Sequence, residues 1–261
     1  MKKKQTIEHI VDWLSKYCNE SGNDGFVVGV SGGIDSALTA ALCARTGRKT
    51  ILINLPIRQN PAEINRGKDL MKMLQQSFRN VKLAEVNLTG IFEKIESDFP
   101  SEIQDALTMA NTRSRLRMTT LYAFAGHHKL LVAGTGNKIE DFGIGFFTKY
   151  GDGGVDLSPI ADLLKSEVYA LAAELNVPDS ILHAAPTDGL FHDARSDEEQ
   201  IGASYDELEW AMNIIETKDT NIEFTERQKI VLEIYKSRNK ANRHKMLAVP
   251  VCIIPYHLKL D

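Results

Sequence analysis

Apolar residues recur at Ile7, Ile10, Val11 and Leu14, the spacing of one helical face, so an amphipathic helix opens the chain and ends near Cys18. The run Phe26-Val27-Val28-Gly29-Val30, bounded by Gly25 and Ser31, is apolar throughout and too short for a helix. It predicts a strand buried on both faces. Residues 36–45 are rich in alanine and leucine and predict a helix closed by Gly47. Further strands are expected at 50–55, 81–87 and 130–133, with a helix opened by Pro61 and running to about 77, and a long helical region over 101–125. Strands alternating with helices in this way define an α/β fold, a doubly wound parallel sheet with helices on both faces.

The remainder of the chain has a different character. Residues 136–160 are rich in glycine and aromatics, 162–175 read as a helix, and 184–202 form a polar stretch without periodicity, a length usually reserved for lids or disordered segments. Helices near 205–215 and 226–237 are followed by a basic turn and an apolar tail at 249–255.

Composition narrows the partners. The 261 residues are 43% hydrophobic and 25% charged, enough for one large domain spanning 1–261 whose core needs neither disulfide nor metal. A separate glutaminase domain would require many more residues, so any nitrogen-transfer chemistry is expected to take its nitrogen from elsewhere. With 31 Lys plus Arg against 35 Asp plus Glu, the net charge is −4 and no basic block stands out, which argues against nucleic acid as the main partner. Arg113, Arg115 and Arg117 make a local exception; by alternation alone they would be one solvated face and a salt bridge. Cys18, Cys43 and Cys252 are far apart and form no CxxC pair, so reduced thiols in a cytoplasmic protein are expected rather than a disulfide frame or zinc site. Lys2, Lys3 and Lys4 precede a segment broken by Glu8, His9 and Asp12, so neither a signal peptide nor a membrane span is expected. His127-His128 has no carboxylate or cysteine at ligand spacing and reads as a helix end.

The candidate chemistry begins at Ser31-Gly32-Gly33-Ile34-Asp35-Ser36, between the first strand and the next helix. Backbone N–H groups at such a turn are unsatisfied and face outward, glycines let an oxyanion approach, and serines add donors. Asp35 would repel a phosphate unless a cation lay between them, which suggests Mg²⁺. A plain strand-to-helix turn capped by Ser36 or Asp35 would use the same residue types. The lysine of a Walker A loop and the GxGxxG spacing of a dinucleotide fold are both missing.

SGGIDS after an apolar strand resembles the pyrophosphate-binding loop of the ATP pyrophosphatases, which implies an adenine nucleotide alpha hydrolase-like fold, ATP, AMP and pyrophosphate. GTGNKIEDFGIGFFTKYGDGGVDLSP at 134–159, RSRLRM, PTDGL and His244-Lys245 together resemble the ammonia-dependent NAD synthetase family. That resemblance implies amidation of deamido-NAD by ammonia through an acyl adenylate, in a homodimer with the dinucleotide at the subunit interface. It places ATP on Gly29, Val30, Ser31, Gly32, Gly33, Ile34, Asp35, Ser36, Thr135, Lys165 and Thr187, with Lys165 neutralising phosphate charge. Mg²⁺ falls to Asp35 and Glu140, and deamido-NAD to Arg115, Phe146, Lys149, Asp156, His244 and Lys245. Asp152 could position ammonia or accept its proton.

Two departures are visible. Many members carry an ATP-contacting arginine where this chain has Asn54 before Leu55-Pro56, so Arg58 or Gln59 is expected to take its place; and the stretch DFGIGFFTK that follows the retained Glu140 is one residue longer than the family's AITGFFTK. Other ATP pyrophosphatases, amidating or tRNA-thiolating, and a non-catalytic nucleotide sensor are the competing readings. The segment 184–202 is expected to act as a lid that keeps water from the acyl adenylate.

Overall fold

The computed structural model describes residues 1–187, 196–217 and 223–259. Helix α1 (Lys3–Glu20) leads into β1 (Gly25–Gly29), α2 (Ile34–Arg45), β2 (Lys49–Asn54), α3 (Pro61–Ser77), β3 (Val81–Glu85), α4 (Thr89–Asp98), α5 (Ala106–His128) and β4 (Leu131–Val132). After a π-helical turn (Lys138–Ile144) come α6 (Lys165–Glu174), the short α7 (Asp179–Leu182) and α8 (Asp197–Ile201), α9 (Tyr205–Thr217) and α10 (Glu226–Met246). The four strands are parallel in the order β3-β2-β1-β4.

Strand alternation explains the two-sided core. Phe26, Val28 and Leu52 face a layer that includes Leu14 of α1, Leu38 and Leu42 of α2 and Leu171 of α6. Val27, Ile51 and Ile53 face the other way, onto Phe92 of α4 and Met118 and Leu121 of α5. Because β1 and β2 are covered on both faces, their sequences run apolar instead of alternating. A smaller cluster joins α9, α10 and the π-helical turn through Ile139, Ile144, Leu208, Met212 and Val231.

The expected elements are present, with informative differences. Helix α4 was not expected; its only fully buried apolar side chain is Phe92, so its periodicity is weak. The basic turn expected after residue 237 is instead the last part of α10, which continues to Met246, and its cations Arg243, His244 and Lys245 suit the negative end of a helix. The helix expected at 162–175 starts at Lys165. Within the polar stretch 184–202, α8 is an ordered turn capped by Ser196 and Glu199, and residues 188–195 lie outside the described residues. The apolar tail leaves Val249, Val251 and Ile253 exposed.

The order β3-β2-β1-β4 reverses direction between β1 and β4. Connections from these neighbours leave in opposite directions, which opens a crevice at the strand ends, the usual ligand site of an open parallel sheet. The loop 30–33 leaves β1 there, and residues 133–137 leave β4 beside it, extended by a bridge from Ala133 to Leu157.

Candidate active site

The loop after β1 is knitted by its own hydroxyls. Ser31 Oγ lies 3.1 Å from Ser36 Oγ and accepts from Gly33 N at 3.2 Å, while Ser36 Oγ accepts from Ser31 N at 3.2 Å and donates to Gly33 O at 3.0 Å. These serines therefore shape the turn, leaving its backbone and the N-terminus of α2 as the anion-facing elements. Gly32 sits at φ +92°, and a Cβ there would collide with the carbonyl oxygen of Glu63 and approach Gly67 N to 3.2 Å. Helix α3 thus lies directly against the loop. Gly32→Ala is expected to lower stability by about 1–3 kcal/mol through backbone strain alone, measurable by chemical denaturation.

A cavity opens over this turn. Every residue from Gly29 to Ser36 lines it, with Gln59, Arg66, Arg117, Thr135, Glu140, Phe146, Asp152, Lys165 and Thr187. Of the residues expected to meet ATP, only Arg58 is absent from its wall. Its backbone takes φ +52° and its guanidinium pairs with Glu96 at 2.8 Å and Glu93 at 3.2 Å on α4.

Opposite the loop lies a buried charge centre. Lys165, the first residue of α6, is 3% exposed and places Nζ 2.6 Å from Asp35 Oδ2 and 3.0 Å from Glu140 Oε1. Helix N-termini disfavour cations, so this lysine is held by the two carboxylates against its own helix dipole. Burial alone would depress its pKa, but Asp35 and Glu140 outweigh burial and hold it above the ordinary lysine range. Burial holds the Asp35 carboxyl above its usual range despite Lys165. Burial acts the same way on Glu140, yet the Lys165 ammonium and the Tyr205 hydroxyl together hold its carboxyl below the usual range.

Sequence reasoning missed three members of this centre. Asn137 is fully buried, donates to Asp35 Oδ1 at 3.1 Å and accepts from Glu140 N at 3.1 Å, tying the two carboxylates together. Tyr205 donates to Glu140 Oε1 at 2.5 Å and lies 3.3 Å from Asp197 Oδ2. Asp141 packs its carboxylate against Gly136, where no Cβ would fit, and burial among Glu140, Asp152 and Asp35 raises its pKa well above the usual range. The Asn137-to-Glu140 capping spacing was readable in the sequence; the contact of Tyr205 with Glu140, 65 residues away, was not.

The extra residue in DFGIGFFTK is absorbed locally. Residues Lys138–Ile144 form a π-helical turn, the form an inserted residue gives a helix, and Phe146 N donates back to Glu140 O at 2.8 Å. Phe146 reaches the cavity wall as a result.

The other expected substrate residues form a separate group. Arg115 Nε donates to Lys149 O at 3.2 Å, Lys149 Nζ to His244 O at 3.0 Å, and Lys245 Nζ to Phe147 O at 2.7 Å. They pin α5, the GFFTKYGDGG loop and the end of α10 together at the surface. Asp156 is not in this group: its carboxylate accepts from Val132 N at 2.8 Å and from the Tyr122 hydroxyl at 3.0 Å. The three alternating arginines part company, since Arg113 is buried 4.7 Å over the Phe92 ring, Arg115 meets the loop and Arg117 turns to the cavity. Asp152 Oδ1 accepts from Ser114 Oγ at 2.7 Å and Thr148 N at 3.0 Å. Although the residue is exposed at the turn, desolvation of its carboxyl raises its pKa above the usual range.

The fold and site define an α/β domain of the adenine nucleotide alpha hydrolase-like type, with its cavity at the switch point of a parallel sheet. The sequence matches the family model NAD synthase over residues 6–248, and the chain belongs to that family. It is 36% identical over 244 residues to the NH(3)-dependent NAD(+) synthetase of Mycoplasma genitalium, covering 90% of this chain and 92% of that one. Its structure is similar to that of NMN synthetase from Francisella tularensis, with TM-score 0.84 and 30% identity over 98% and 99% of the two chains. The NH3-dependent NAD synthetase of Campylobacter jejuni matches with TM-score 0.79 and 26% identity over 97% and 100%.

Proposed function

We propose that this protein is an ammonia-dependent NAD synthetase: it adenylates the nicotinate carboxylate of deamido-NAD with ATP, and ammonia displaces AMP to give NAD. The observation that carries the reading is the lysine-bridged pair Asp35 and Glu140 facing the SGGIDS loop across one cavity, in a chain of the NAD synthase family.

Free carboxylates resist attack by amines, so one must first become a mixed anhydride. A carboxylate oxygen attacks the α-phosphorus of ATP, the bond from that phosphorus to the bridging oxygen breaks, and pyrophosphate leaves with the electron pair. Ammonia then attacks the acyl carbon, loses a proton, and AMP departs with the former carboxylate oxygen. The loop amides and the α2 N-terminus hold phosphate oxygens, while Lys165 offsets their charge. Phe146 supplies an apolar face for the pyridine ring, and Asp152 is positioned to take the proton from ammonia.

The residues fit magnesium. Asp35 and Glu140 bring two hard carboxylates to one wall of the cavity, and Mg²⁺ is commonly held by one or two carboxylates with substrate phosphates completing its shell. When bound there, the ion would supply Lewis-acid neutralisation of the phosphate chain. Cys18 and Cys43 are buried free thiols, which supports a reducing, cytoplasmic setting. A homodimer is supported by Leu107 and Tyr122, large apolar residues exposed along α5 beside the Arg115 group. Among the described residues, no helix is long and apolar enough to cross a membrane.

With ATP, Mg²⁺, deamido-NAD and ammonium, the purified protein is expected to form NAD, AMP and pyrophosphate in equal amounts, with glutamine a poor donor; ADP as product would contradict the proposal. A second reading comes from the similarity to a protein named NMN synthetase: the acid could be nicotinate mononucleotide, which presents the same carboxylate without the adenylate half. Comparing kcat/KM for the two acids separates the readings. Asp152→Asn retains an acceptor for Ser114 and Thr148, so its melting temperature should match the parent. Turnover with ammonium is expected to fall ~10²- to 10⁴-fold, as for loss of a general base; unchanged turnover would assign Asp152 to the turn alone.

A further inference from the structure

Among the described residues, three cationic side chains line the cavity: Lys165, Arg117 and Arg66. Lys165 is committed to Asp35 and Glu140, and Arg117 donates through Nε to Leu55 O at 3.1 Å. Arg66 differs from both. Its Nε is buried without a hydrogen-bond partner among the described residues, although burying a guanidinium nitrogen unpaired is costly. Its place in the chain is equally specific, because the next residue, Gly67, packs on the nucleotide loop: a Cβ on Gly67 would lie 3.3 Å from Gly32 N and 3.4 Å from Val30 O. Helix α3 therefore carries Arg66 to the loop.

We propose that Arg66 is a binding residue for the ATP phosphate chain, contacting the two phosphates that leave as pyrophosphate. This rests on the adenylation reading above. The attacking carboxylate must reach the α-phosphorus from the open cavity, where Phe146 and Asp152 stand. The leaving phosphates then lie toward the loop backbone, which Arg66 adjoins and where a planar guanidinium can engage two oxygens at once. As the bond from the α-phosphorus to the bridging oxygen breaks, its electron pair adds negative charge to the pyrophosphate, and Arg66 stabilises that charge.

The test is calorimetric titration of Arg66→Gln and Arg66→Lys, in Mg²⁺, with ATP, inorganic pyrophosphate and AMP. Arg66→Gln is expected to weaken ATP and pyrophosphate ~10- to 100-fold and to leave AMP within about twofold, with Arg66→Lys in between. Unchanged ATP affinity, or an equal loss for AMP, would overturn the assignment. Because Arg66 Nε has no hydrogen-bond partner among the described residues, the glutamine variant should fold; should it not, the lysine variant carries the same comparison. A parent protein that binds ATP but makes no NAD would defeat the proposed function while leaving the Arg66 result readable.

Discussion

Lys165→Met is expected to lower stability by about 3–5 kcal/mol and the melting temperature by roughly 10 °C, because it leaves Asp35 and Glu140 facing each other in a buried site without a counter-charge. Millimolar Mg²⁺ should raise the melting temperature of this variant more than that of the parent, since the two carboxylates then have only the ion to bridge them. A thermal melt with and without Mg²⁺ reads both effects. Equal melting of variant and parent would show that the lysine bridge contributes nothing to the fold, and an identical Mg²⁺ response would detach the ion from this pair.

Asp35→Asn separates chemistry from stability. The amide keeps one of the two acceptor oxygens, enough for Lys165 but not for Asn137 as well, and Lys165 keeps its contact with Glu140, so the fold should survive. What disappears is a hard anionic donor beside the phosphates. Release of pyrophosphate is expected to fall ~10²- to 10³-fold, the scale of losing one preorganised electrostatic group, and the loss should not be recovered by saturating ATP. Near-parental turnover at limiting Mg²⁺ would refute the metal role of Asp35.

How legible this was differed between the sheet and the site. The apolar run at 26–30 and the alternation of strands and helices require a parallel sheet, since strands buried on both faces need crossover helices to cover them. The SGGIDS loop is contiguous, so its place after β1 followed at once. Asp35, Glu140 and Lys165 were named from separate motifs, but that one ammonium bridges both carboxylates depends on side chains 130 and 25 residues apart. Tyr205 and Arg66 carry no local signature, because their meaning lies in what they adjoin: Glu140 in one case and the Gly32 loop in the other. Arg58 shows the opposite case. Its proximity in sequence to Leu55-Pro56 suggested the nucleotide, but a left-handed backbone turns its side chain to Glu93 and Glu96. The polar stretch 184–202 was expected to be a lid; its α8 part is an ordered turn whose Asp197 approaches Tyr205, and the lid idea rests on whether hydrogen exchange there slows with ATP and deamido-NAD.

The measurement that bears most directly on the central claim follows an oxygen atom. Deamido-NAD labelled with heavy oxygen in its nicotinate carboxylate, turned over with ATP and ammonium, should yield AMP carrying one labelled oxygen and pyrophosphate carrying none, because the acyl adenylate hands that oxygen to the α-phosphorus. Label in inorganic phosphate alongside ADP, or AMP free of label, would contradict activation by adenylation at this site.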